Sequence, residues 1–262
     1  METMLEITPI PAFCDNYIWL LKNTGGRAAA VVDPGDAGPV LEALGRERLH
    51  LGAILITHHH PDHTGGIGGL KAAFPDVRVY GPAGEPVAGV GSAVEEGGEV
   101  RPPGIEACFE VLGMPGHTAG HVAYYGGGAL FCGDVLFAGG CGRVFEGTME
   151  QMAASLARIG RLPPDTLIYC AHEYTLANLG FARWVEPENR AVRQRWEQAR
   201  ALRNARRPTV PSRLELELET NPFLRTRVPA VIAAAEQWAG RPLEDQVAVF
   251  TALRNWKDRD YD

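Results

Sequence analysis

Long apolar runs are missing from these 262 residues: no stretch of about 18 apolar positions occurs, so no transmembrane helix is expected. An excess of positive charge is missing too. Lys and Arg number 25 against 32 Asp and Glu, a net charge of −7, which argues against a general binder of nucleic acid or of anionic membrane. Cysteine is scarce and unpatterned. The five residues Cys14, Cys108, Cys132, Cys141 and Cys170 are odd in number, scattered, and never in CxxC spacing. They offer no disulfide framework and no cysteine-rich zinc site, and they suit a reducing compartment. The opening Met-Glu-Thr has no basic segment followed by an apolar run, so no signal peptide is expected and the protein is placed in the cytoplasm. The remainder is ordinary globular composition, 45% hydrophobic and 22% charged, with a length that suits one large domain plus an appendage.

Against that background one stretch stands out. Four of the eight histidines and one aspartate fall within His58-His59-His60-Pro61-Asp62-His63. Leu49 to Ile56 upstream is mostly apolar and partly β-branched, so it reads as a buried strand, and Pro61 with Gly65-Gly66 ends it. Adjacent histidines pack poorly and repel when protonated, whereas neutral imidazole with carboxylate is the donor set of zinc and its neighbours. In extended backbone His58, His60 and Asp62 share one face, His59 and Pro61 point away, and His63 lies where the chain turns. A purification tag would be terminal and would lack the strand and the aspartate. A single structural zinc site would be cysteine-rich and closed. The spacing therefore points to a catalytic metal site with donors for more than one ion.

Along the chain, residues 4–10, 17–22 and 28–33 read as strands, and Asp33-Pro34-Gly35-Asp36 as a turn that caps a short helix carrying Val40, Leu41 and Leu44. A glycine-rich helix over 65–74 and a strand at 77–80 follow. Residues 81–104 read as loops with at most a short strand. Strands are expected at 107–112, 121–125, 129–132 and 167–171, with a helix at 149–159. After Glu173 the signals turn helical, through 175–184, 188–206, 228–239 and 243–257. Val192, Trp196, Ala199 and Leu202 mark the buried face of the second of these helices. The arginines at 190, 193, 195, 200, 203, 206 and 207 mostly read as its solvated face, and as a minor alternative they form a basic rim for an anionic substrate. A boundary near 172 divides residues 1–172 from a helical 173–262.

Three more ligand-type residues follow strand ends and glycines or small residues: His117 in Pro-Gly-His-Thr, Asp134 in Phe-Cys-Gly-Asp, and His172 in Cys-Ala-His-Glu. Each alone is a weak signal, but active sites gather on loops at one edge of a sheet scaffold. Seven donors suit two metals with Asp134 between them. The series His58-x-His60-x-Asp62-His63, His117, Asp134, His172 resembles the ligands of the metallo-β-lactamase superfamily. That resemblance implies an α+β fold, an αββα sandwich, with a C-terminal helical domain. It assigns His58, His60 and His117 to one metal, Asp62, His63 and His172 to the other, and Asp134 to both, with His59 a non-ligand. The ions would be two divalent metals per chain, zinc first, with iron or manganese sharing the same ligand set.

A closer resemblance is to the glyoxalase II (hydroxyacylglutathione hydrolase) family. It is carried by Gly140-Cys141-Gly142-Arg143-Val144-Phe145-Glu146-Gly147-Thr148, Ala171-His172-Glu173-Tyr174-Thr175, Asn221-Pro222-Phe223-Leu224-Arg225 and Arg254-Asn255-Trp256-Lys257. It implies hydrolysis of the thioester S-(R)-lactoylglutathione and related 2-hydroxyacylglutathiones to D-lactate and glutathione by a dinuclear-metal hydroxide, the second step of methylglyoxal detoxification. Arg143 and Tyr174 would contact glutathione, Arg254 and Lys257 would hold its glycine carboxylate, and Asp62 and Asp134 would act in catalysis. Two cations three residues apart share a helix face, which agrees with a carboxylate clamp. Phe145 replaces a tyrosine of many members; it loses a hydroxyl contact to the peptide but keeps the ring. Arg143 replaces a lysine, keeping charge but changing donor geometry. Cys141 reads as a small packing residue. The alternative is a glutathione persulfide dioxygenase with one iron, which usually lacks the helical C-terminal domain and the Arg-x-x-Lys end. The family leans toward a monomer with only a small-molecule partner.

Overall fold

The computed structural model describes residues 4–261, which group into two compact units. The first comprises residues up to Met114 with Ala119–Gly133; the second comprises Pro115–Thr118 with Asp134 onward.

In the first unit, β1 (Leu5–Ala12), β2 (Asn16–Asn23), β3 (Ala28–Val32), β4 (His50–Leu55), β5 (Arg78–Pro82) and β6 (Ser92–Val94) form one sheet in that order. β1, β2 and β3 pair antiparallel, and from β3 to β6 the pairing is parallel. The parallel part follows from its crossovers, α1 (Ala37–Glu47), then the short α2 (Pro61–Thr64) and α3 (Ile67–Ala73). Asp36 caps α1 by accepting from Gly38 N–H, as the turn sequence requires. Val40, Ala43, Leu44, Ile67 and Leu70 of the helices bury against Ile18, Leu20, Val31, Ile54 and Val79. β2 is buried on both faces along Asn16–Leu21, which is why it reads as an unbroken apolar run rather than an alternation.

Four antiparallel strands complete this unit: β7 (Glu99–Val100), β8 (Phe109–Gly113), β9 (Val122–Gly126) and β10 (Ala129–Gly133). Two polar links tie β9 to the chain just past β4. The Tyr124 hydroxyl donates to Ile56 O at 2.8 Å, and Val122 N–H to Thr57 O at 2.9 Å.

The second unit opens on a two-residue hairpin, β11 (Leu136–Phe137) with β12 (Gly140–Cys141), too short for any periodicity to announce it. α4 (Met149–Ile159) follows with a reciprocal capping box between Thr148 and Gln151. β13 (Leu167–Cys170) pairs with β14 (Ser212–Arg213). The helices are α5 (Thr175–Val185), α6 (Arg190–Asn204), α7 (Leu214–Thr220), α8 (Pro229–Ala239) and α9 (Gln246–Trp256), which runs into a π-helical turn over Lys257–Tyr261. The expectation of solvated arginines on α6 needs one correction. Arg195 is buried, bonded to Glu217 and, at 2.6 Å, to Thr220 Oγ1. Trp196 is flanked by guanidiniums instead, with Arg183 and Arg200 stacked on its ring at 4.3 and 4.6 Å.

Candidate metal and substrate site

Each unit carries part of the ligand series, and each part is built by a strand that runs out into a constrained loop. In the first unit β4 delivers Ile56, Thr57 and His58. The extended backbone stops at His60, because Pro61 takes the first position of α2 with His60 as its N-cap. The shared face expected from strand alternation therefore arises differently. His58 and His60 meet side by side, Nε2 to Nδ1 at 3.0 Å, while Asp62 and His63 are brought round by the helical turn. His59 is held apart by Glu85, which accepts from its backbone N–H at 2.6 Å and lies 2.8 Å from its ring Nδ1.

Asp33, at the end of β3, orders this cluster and had no signal beyond its place in a turn. It adopts φ +52°, uncommon for a non-glycine residue. Its carboxylate accepts from Thr57 N–H and from Thr57 Oγ1–H, both at 2.8 Å. With the hydroxyl proton committed, Thr57 Oγ1 accepts from His58 Nδ1–H at 3.1 Å, which turns the lone pair of His58 Nε2 outward. Asp33 Oδ2 also lies 3.1 Å from His63 Nδ1, leaving His63 Nε2 toward Asp62 Oδ2 at 3.5 Å. Asn16, at the start of β2, donates to that Asp62 oxygen at 3.0 Å. The loops interlock closely: a Cβ on Gly35 would stand 1.9 Å from Asp62 O. His58 and His63 are fully buried, their rings 4.0 Å apart, and His121 stacks on His58 at 4.8 Å. Imidazole binds metals in its neutral form.

In the second unit His117, Asp134 and His172 come together although they are distant in sequence. His117 Nδ1–H donates to Arg143 O at 2.8 Å, presenting Nε2 toward Asp134. Asp134 Oδ2 lies 3.5 Å from His117 Nε2 and 3.4 Å from His172 Nε2. His172 is sandwiched in aromatic contacts, stacked on Tyr174 at 4.7 Å with Phe137 edge-on at 5.7 Å, and Phe145 meets His117 at 5.2 Å.

These spacings test whether a metal suits the donors. A charge-assisted N–H···O⁻ bond is about 2.7–2.9 Å, shorter than every one of the His–Asp separations above. A tetrahedral ion with bonds of about 2.1 Å holds its ligands about 3.4 Å apart. The observed 3.4 and 3.5 Å match that edge, and one Asp134 oxygen stands at it from two histidines. The donor set fits divalent metal.

The five residues expected at the substrate all line one cavity of the second unit, about 400 Å³, together with His117 and Asp134. Of these, Phe145, Arg143 and Tyr174 are exposed in part, whereas Arg254 and Lys257 are buried. Cys141 is buried beside Arg254, and burial pushes its thiol above the ordinary range, which fits packing rather than chemistry. The glycines of 140–147 allow close approach: a Cβ on Gly142 would fall 1.9 Å from Asp134 O and 3.2 Å from His117 Nδ1. Gly142→Ala is expected to displace Asp134 and to lower both bound metal and melting temperature, at a cost of about 1–3 kcal/mol. Elemental analysis and thermal unfolding read the two effects, and an alanine variant unchanged in both would contradict the close packing.

Known proteins share this sequence and fold. Residues 12–172 match the family described as Metallo-beta-lactamase superfamily, and residues 173–260 match Hydroxyacylglutathione hydrolase C-terminus. A hydroxyacylglutathione hydrolase of Alkalilimnicola ehrlichii is 59% identical over 98% of this chain and 100% of its own length. One of Pseudomonas entomophila is 52% identical over 97% and 99%. Among solved structures, TTHA1623 in a di-iron-bound form superposes with a TM-score of 0.59 at 28% identity, covering 83% of this chain and all of its own. The expected α+β fold with a C-terminal helical domain is borne out. The chain belongs to the hydroxyacylglutathione hydrolase family of the metallo-β-lactamase superfamily.

Proposed function

We propose that this protein hydrolyses S-(R)-lactoylglutathione and related 2-hydroxyacylglutathiones, releasing the hydroxy acid and glutathione. The observation that carries the reading is the second-unit cavity, which is lined by Asp134 and His117 together with three cations, Arg143, Arg254 and Lys257. A glutathione thioester calls on both kinds of group: its reacting carbonyl on the ligand-type residues, its peptide carboxylate on the cations.

In this reading His58, His60 and His117 hold one divalent metal, Asp62, His63 and His172 a second, and Asp134 is shared. Zinc is the first choice, and iron and manganese suit the same donors. Bound there, the metals supply Lewis acidity, making a nucleophile from water at neutral pH and stabilising charge on the thioester carbonyl. The chain's own residues do the rest. Asn16 and Asp33 hold Asp62 and His63 in place, Asp62 and Asp134 orient the attacking water, and Tyr174 and Arg143 position the peptide. The water oxygen forms the new C–O bond and its proton passes to solvent; the C–S bond then breaks, and the thiolate leaves without a general acid. Residues 1–172 thus carry every metal ligand, and residues 173–262 add Tyr174, Arg254 and Lys257. No disulfide joins cysteines among the described residues, as a cytoplasmic location would have it, and no described helix is long and apolar enough to cross a membrane. We assign the working state as a monomer.

The test follows loss of thioester absorbance with S-D-lactoylglutathione and purified protein, with and without a chelator. Rapid hydrolysis that the chelator abolishes is expected. Metal-replete protein that leaves the thioester intact, and instead consumes oxygen with glutathione persulfide, would overturn the reading in favour of a dioxygenase.

A further inference from the structure

A carboxylate already stands among the cations of the substrate cavity. Arg254 closes α9 with its side chain 1% exposed, and Asp258 follows four residues on, at the π-helical turn. Asp258 Oδ2 accepts from Arg254 Nε at 3.2 Å and Oδ1 from Nη2 at 2.9 Å, a two-pronged pair. The other prong of Arg254, Nη1, donates to Cys141 O at 2.9 Å. Asp258 Oδ1 also lies 3.3 Å from Arg143 Nε, so one oxygen serves two guanidiniums. Arg143 in turn bonds His117 through its carbonyl.

An ordinary i,i+4 pair on a helix surface contributes little, because both chains stay solvated and free to rotate. This group differs in two ways. Arg254 is buried, so its charge needs a fixed partner. Arg143 is half exposed, so its long side chain keeps one orientation only if an anion holds it. Without a shared anion the two guanidiniums would repel and diverge. Lys257, buried next to Asp258 in the chain, lies 5.6 Å from the centroid of the Tyr261 ring in the same turn.

We propose that Asp258 is the positioning residue of the substrate cavity, fixing Arg143, Arg254 and Lys257 as one preformed receptor for the peptide carboxylate of the thioester. The proposal rests on the thioesterase reading above and assigns to Asp258 the discrimination between charged and uncharged peptide ends. Its oxygen holds the side chain of the same residue whose carbonyl orients His117, so the carboxylate-binding end and the reacting end share one strut.

The experiment compares two substrates, S-D-lactoylglutathione and its glycinamide analogue, in which the terminal carboxylate is a carboxamide. Wild-type protein is expected to prefer the first by kcat/KM. In Asp258→Asn that preference falls at least about tenfold, the scale of one charge-assisted contact, and Asp258→Glu restores part of it. Calorimetric binding of S-methylglutathione to the metal-loaded variants weakens in the same order. A preference unchanged in Asp258→Asn overturns the proposal, whatever happens to the absolute rate. Should Asp258→Asn fail to fold, the charge-conserving Asp258→Glu decides alone: its longer arm shifts the receptor, and wild-type preference would refute the assignment. Failure of the thioesterase reading is distinguishable, because wild-type protein would then hydrolyse neither substrate.

Discussion

Asp134→Ala yields a folded protein that has lost more than about a hundredfold in kcat/KM and retains less than its full complement of metal. Removing only an outer partner of a metal ligand already costs about 10–100-fold in affinity or activity, and Asp134 is read here as a ligand shared by two ions. One atom, Oδ2, stands 3.5 Å from His117 Nε2 and 3.4 Å from His172 Nε2. Its place is fixed by backbone packed so tightly that Gly142 admits no side chain, and alanine cannot lengthen to refill it. Asp134→Asn keeps the shape without the charge, and falls between alanine and wild type in metal retention. Elemental analysis after dialysis and the thioester assay measure the two quantities together. Full metal occupancy with normal turnover in the alanine variant would remove the shared-ligand assignment.

The second large effect concerns stability. Glu217→Ala is expected to lower the unfolding free energy by about 3–5 kcal/mol, the range for breaking a buried ion pair from one side. That corresponds to roughly 10 °C or more in melting temperature for a chain of this size. Glu217 is fully buried, and its two oxygens collect donors from four segments: Arg195, Ser212, Asn221 and the Gly139 backbone N–H at 2.8 Å. A buried ion pair can often be exchanged for apolar residues without loss. Here it cannot, since Arg195→Met with Glu217→Leu still leaves Gly139 N–H and the Ser212 hydroxyl without their acceptor. The double variant therefore remains less stable than wild type in thermal unfolding, and equal stability would show that the pair acts alone.

Much of the architecture could be read beforehand because its periods are clean. α4 was expected at 149–159 and occupies Met149–Ile159; the apolar run before His58 is β4. The residues proposed as ligands stand out by type and density taken together, since a single histidine or aspartate at a strand end is a weak signal. What the residues hid has physical causes. Leu-Glu-Leu-Glu-Leu-Glu-Thr at 214–220 alternates with the period of a strand, yet forms α7. Its buried positions, Leu214, Glu217 and Thr220, are three apart, and the middle one is charged, so no hydrophobic pattern reports the helix. Arg195 gave no sign of burial because its partner Glu217 lies 22 positions away. Asp33 reads only as a turn residue and Asn16 is the first residue of β2; their hold on Thr57, His63 and Asp62 appears only when these segments are folded against the histidine loop.

The β11–β12 hairpin has a consequence for the order in which this chain can be completed during synthesis. Its carbonyls at Phe137 and Gly140 accept from the Asn221 amide, 84 and 81 residues downstream, and its Gly139 N–H waits for Glu217, 78 downstream. As the chain leaves the ribosome, the segment that ends beside Cys141 and Arg143 emerges well before the groups that satisfy it. Until those groups arrive, its buried polar atoms have only water to pair with. A nascent chain halted at residue 172 would have every histidine and aspartate of the ligand series and a hairpin not yet set; the last turn of α7 is what closes it.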